Sequence, residues 1–126
     1  MIKVLNKVRQ PFNVNAIAMK AAELALANKS FVEKSIKVNE EGKSYLYKSL
    51  DSMGIRYIPT HANFVCIELP HEARDIFEDL LLLGVIVRPL TFYGRNNSIR
   101  VTIGTKEENQ EFIKCLKQVL KKVENL

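Results

Sequence analysis

The stretch "SIRVTIGTKEENQEFIKCLKQVLKKV", from Ser98 to Val123, constrains the fold more than any other. Ile99, Val101 and Ile103 alternate with Ser98, Arg100 and Thr102, the period of a strand with one apolar and one wet face. Thr105-Lys106-Glu107-Glu108 then forms a capping box, and the helix it opens places Phe112, Leu116, Val119, Leu120 and Val123 on one side. A one-sided strand beside a one-sided helix is satisfied by packing the two apolar faces together. That requires two layers, with the other face of the sheet left open.

The preceding sequence supplies the remaining elements. Ala16–Ala27 is rich in Ala, Leu and Met and predicts a helix, with Asn13 or Asn15 as its cap and apolar residues on more than one side. Ser30-Phe31-Val32-Glu33 reads as a capping box opening a second helix that runs to Gly54. Gly42 interrupts it, which implies either a bend or close packing. "IRYIPTHANFVCIEL" is extended and bends at Pro59, and Phe64–Leu69 is its clearest strand. A third helix is expected over His71–Leu83 behind Pro70, ending at Gly84. Strands follow at Val85–Arg88 and Ser98–Ile103, with "PLTFYGRNN" as the loop between them. The order predicts one α+β domain over residues 1–126: a two-layer α/β sandwich, mostly antiparallel, with helices on one face.

Composition narrows the function classes. A chain of 126 residues fits one domain able to bury roughly two-thirds of its unfolded surface. No apolar run approaches the ~20 residues of a membrane span. The N-terminal segment lacks the apolar core and cleavage site of a secretory signal, so a cytoplasmic protein is expected. The net charge of +5 invites a nucleic-acid reading. The lysines are scattered, however, and Lys114, Lys117, Lys121 and Lys122 follow helical spacing on a solvated face, so no nucleic-acid partner is expected. Cys66 and Cys115 lack metal-ligand spacing and read as two buried free thiols, with no metal site. His61 and His71 read as structural or surface residues, and Asp75, Glu78 and Asp79 as a solvated helical face. No local motif suggests a catalytic residue.

Two arginines stand among branched apolar residues. By alternation, Arg100 projects from the open face of the sheet, either as a solvated strand residue or as an anchor for an anion. Arg88 precedes Pro89 at a strand end and points into a loop that also carries Tyr93 and Arg95.

"RQPFNVNAIAMKAAELAL", "THANFVCIEL", "GVIVRP" and "IRVTIGTKEENQEFIKCL" resemble, in order and spacing, successive C-terminal segments of histidinol-phosphate aminotransferases, pyridoxal-phosphate (PLP) enzymes of fold type I. The resemblance implies that Arg100 grips a substrate carboxylate and that Arg88 holds a substrate phosphate, as two separate clamps. It also implies PLP in a full-length, homodimeric enzyme that exchanges an amine with 2-oxoglutarate or glutamate. The cofactor-binding lysine segment, the aspartate for the pyridine nitrogen and the phosphate cup of that family have no counterpart among these residues. The chain therefore reads as the small domain without its large partner domain, with no PLP bound and no activity by itself. An aromatic-amino-acid aminotransferase, a phosphothreonine decarboxylase or a stand-alone ligand-binding module are the other readings.

Overall fold

The computed structural model describes residues 1–9 and 12–124. The chain divides into two compact units, Met1–Ser35 and Ile36–Leu126. The first contains α1 (Ile2–Val8), α2 (Ala16–Ala27) and the start of α3 (Lys29–Ser52). Asn15 caps α2, its side-chain oxygen accepting from the Ala18 N–H at 2.8 Å. α3 begins at Lys29, two residues before the start that a Ser30 cap implies, because Asn28 is the cap instead. Its Oδ1 accepts from the Phe31 N–H at 3.1 Å and from the Ser30 hydroxyl at 2.9 Å. None of the described residues of this unit is buried.

The second unit holds the rest of α3 and then β1 (Arg56–Ile58), β2 (Phe64–Glu68), α4 (Ala73–Leu82), β3 (Arg88–Leu90), β4 (Arg95–Thr102) and α5 (Lys106–Glu124). The four strands form one sheet in the order β1-β2-β4-β3, antiparallel at every pairing. Val65 and Ile67 of β2 and Ile99 and Val101 of β4 form the inner face. They join Leu46 and Leu50 of α3, Ile76 and Leu80 of α4, and Phe112, Leu116 and Val119 of α5 in one apolar cluster. This is the α+β, two-layer arrangement expected from the one-sided strand and helix. Among the described residues no helix is long and apolar enough to cross a membrane.

Local chemistry sets the boundaries. α3 and α4 each close through a glycine with positive φ, +65° at Gly54 and +81° at Gly84. The next residue bonds back into the last turn, Ile55 N–H to Leu50 O at 3.0 Å and Val85 N–H to Leu80 O at 2.9 Å. α5 opens with the expected capping box: Glu108 accepts from the Thr105 N–H at 2.7 Å, and Thr105 accepts from the Glu108 N–H at 3.3 Å. Gly42 is a site of close packing within an unbroken α3. A Cβ there would lie 2.6 Å from Ile103 Cγ2 and 2.7 Å from Asn109 Nδ2. Buried Asn109 in turn pins the β4–α5 connection, bonding both N–H and C=O of Gly104 at 3.0 and 2.9 Å.

Three expectations change. β3 starts at Arg88 rather than ending there, and Pro89 lies within it. A proline is tolerated because β3 is an edge strand, where one side of the backbone needs no ladder partner. "PLTFYGRNN" is accordingly a β-hairpin, with one 3₁₀ turn at Thr91–Tyr93 and Gly94 joining the strands. Cys115 is buried, but Cys66 is only half-buried because it lies on the outer face of the sheet. Finally, Asp79 of the expected solvated face is an inter-helix tie: it accepts from Lys122 of α5 at 2.7 Å.

Candidate functional site: an arginine pair on the open sheet face

The outer face of the sheet is built by register. Residues directly opposite in antiparallel strands share a face, with Cα atoms about 4.5–5.5 Å apart. Ile58 pairs with Cys66, Cys66 with Arg100, and Arg100 with Arg88. One row across all four strands therefore ends in two neighbouring arginines. Arg88 and Arg100, to which the resemblance assigns separate roles, are thus side by side.

Their surroundings differ from those of the other strand arginines. Glu68 is the only carboxylate in the four strands, which carry Arg56, Arg88, Arg95 and Arg100. Arg56 reaches Glu68 at 3.4 Å from one side and Arg95 reaches it at 3.2 Å from the other. Among the described residues, neither Arg88 nor Arg100 meets a carboxylate. The guanidinium of Arg100 instead lies over the ring of Phe64, 5.1 Å from its centroid. An aromatic face favours a cation while leaving the edge N–H donors of the guanidinium pointed outward. Arg88 is exposed and Arg100 half-buried, so an anion arriving from solvent can reach both.

Other candidates stay outside this face. His61 is exposed in the β1–β2 loop and His71 precedes α4. Among the described residues no group of His, Cys, Asp and Glu could hold a metal. The Cys115 thiol is pushed above its ordinary range, first by burial and then by the Glu111 carboxylate beside it, which suits a packing residue. Ser98, read from alternation as facing water, is buried opposite Glu68. The roles of Glu68 and Phe64 escaped sequence reasoning. The arginine pairing depends on a register shift between Pro89 and Leu90: the tip of the hairpin pairs Leu90 with Arg95, and only beyond the shift does Arg88 come opposite Arg100.

Comparison with known proteins places this architecture. The histidinol-phosphate aminotransferase of Moorella thermoacetica is 46% identical over 120 residues, covering 95% of this chain and 31% of that protein. The crystal structure of the histidinol-phosphate aminotransferase of Clostridium acetobutylicum superimposes with a TM-score of 0.75 at 26% identity, over 91% of this chain and 36% of that one. The L-threonine-O-3-phosphate decarboxylase of Porphyromonas gingivalis shares the fold, with a TM-score of 0.72 at 23% identity over 95% of this chain and 38% of that one. The chain thus spans about a third of the length of these relatives. Residues 1–116 match the family model of class I and II aminotransferases, and on that match the chain belongs to this family.

Proposed function

We propose that residues 1–126 are the substrate-gripping small domain of a PLP-dependent histidinol-phosphate aminotransferase. The observation that supports this most is the Arg88–Arg100 pair, in register on the open face with no carboxylate to neutralise it. The family resemblance assigns a substrate carboxylate to Arg100 and a substrate phosphate to Arg88. Because they are neighbours, both cations serve one anion position in each half-reaction. Histidinol phosphate carries a phosphate ester where glutamate carries its α-carboxylate, so a single cationic pair can orient either. A guanidinium fork suits both oxyanions, and gripping that group fixes the neighbouring carbon and the amine it carries. A homodimeric, cytoplasmic enzyme belongs to the same reading.

PLP would supply the electron sink for the amine exchange when bound. The residues that register sets around the pair are Ile58, Phe64, Cys66 and Thr102. They include no amine to join an aldehyde, and Glu68 is engaged by two arginines. These residues do not fit the cofactor, and no chemical step is assigned to them; in this reading the cofactor sits with the remaining length of the relatives. Phosphothreonine decarboxylation is the second reading, favoured only by the shared fold and by a substrate that also carries phosphate.

The test is titration of the chain with histidinol phosphate, glutamate and inorganic phosphate, followed by NMR of the arginine side-chain N–H groups. Binding that perturbs Arg88 and Arg100 is expected, and Arg100→Gln should weaken it about tenfold or more, the scale of one charge-assisted hydrogen bond. Perturbation elsewhere, or binding unchanged in Arg88→Gln and Arg100→Gln, would overturn the assignment.

A further inference from the structure

Arg100 has two long-range choices on its face. Cys66 is its direct partner on β2, so Phe64 and Glu68 are its two diagonal neighbours. Diagonal pairs lie about 7–8 Å apart between Cα atoms, within reach of an arginine. An arginine offered a carboxylate on one side and an aromatic ring on the other would ordinarily take the carboxylate, the stronger partner. Here it lies over Phe64, while Glu68 is held by Arg56 from β1 and by Arg95 from the start of β4.

We propose that Arg56 and Arg95 are positioning residues that sequester Glu68, the only carboxylate of the sheet, and so keep the Arg88–Arg100 pair available to an external anion. Neither touches the anion. Each occupies one oxygen of an internal competitor, Arg95 on Oε1 and Arg56 on Oε2. Arg95 is the better placed of the two, since its side chain is 46% exposed against 85% for Arg56 and its contact is shorter. With each oxygen facing a guanidinium, Glu68 is already charge-compensated and is a weaker competitor for Arg100. The two arginines thus act on substrate affinity through Glu68 and not through the net charge of the face alone. The inference rests on the anion-gripping reading only for its consequence; the choice Arg100 makes between Phe64 and Glu68 is measurable without any ligand.

The experiment compares the 126-residue chain with Arg56→Gln/Arg95→Gln, with Glu68→Gln and with the triple variant. The first readout is the ring-current shift of the Arg100 side-chain protons, taken without ligand. It should be present in the wild type, lost in the double variant as Arg100 swings to Glu68, and restored in the triple variant. The second is affinity for inorganic phosphate, expected to fall about fivefold in the double variant, the upper end for an exposed ion pair, and to recover in the triple. A double variant that keeps the ring-current shift overturns the inference, because loss of positive charge alone would lower affinity without moving Arg100. Glu68→Gln should keep the shift and bind phosphate at least as tightly as the wild type; weaker binding there also overturns it. If the wild type fails to bind phosphate while the ring-current pattern follows the prediction, the anion-gripping reading fails and sequestration stands.

Discussion

Met1–Ser35 and Ile36–Leu126 are both rich in helix formers, and both have capped helices, yet they end in opposite states of burial. Asn15 caps α2 as well as Thr105 caps α5. In the first unit, however, Ile17 is 84% and Leu26 76% exposed, whereas Leu46, Leu50 and Leu116 of the second are fully buried. Capping and propensity therefore make helices in both, but only the second unit has a sheet face for its helices to cover. Isolated helices of this length are marginal in water, and most helical stability comes from tertiary packing. The first unit carries apolar side chains of the kind that pack, without a core of its own.

The sharpest way to break this contrast is to truncate one leucine in each unit. Leu116→Ala should cost about 2–5 kcal/mol, the range for a fully buried leucine. Leu26→Ala should stay within about 0.5 kcal/mol, as for a surface position. Urea denaturation followed by circular dichroism measures both, and equal costs would show that the first unit has a core after all. A smaller effect probes the close approach at Gly42. Alanine there gains helix propensity but drives its methyl against Ile103 and Asn109, so a net loss of about 1–3 kcal/mol is expected from overpacking. Stabilisation by Gly42→Ala in a thermal melt would mean that the neighbours give way freely. The smallest test concerns the caps. Thr105→Ala should lower stability of the second unit by about 1 kcal/mol. Asn15→Ala should speed amide exchange within α2 and leave the denaturation midpoint of the second unit in place.

What could be read from sequence follows the range of the signals. The boundaries of α2, the capping box of α5 and the outward direction of Arg100 depend on residues within a few positions of each other. They were legible for that reason. Arg88 depends on pairing between strands: Pro89 suggested a strand end, but an edge position in the sheet makes the proline harmless. The same holds for Cys66, whose exposure follows from which sheet face it occupies. The Asp79–Lys122 tie joins two helices far apart in sequence, and the Glu68 ties join three strands. Such contacts exist only once the topology does. At the α3 start two caps competed within two residues, and Asn28 took the role that the Ser30 pattern suggested.

The placement of the two prolines nearest the sheet has a further consequence. A sheet with an open cationic face also has two open edges, and an unpaired edge is a template on which another molecule can add a strand. β1 spans three residues and is followed at once by Pro59, while β3 spans three residues and contains Pro89. Neither edge offers a run of N–H and C=O groups long enough to propagate a ladder from one molecule to the next. Two short edges marked by proline thus work against growth of this sheet into fibres.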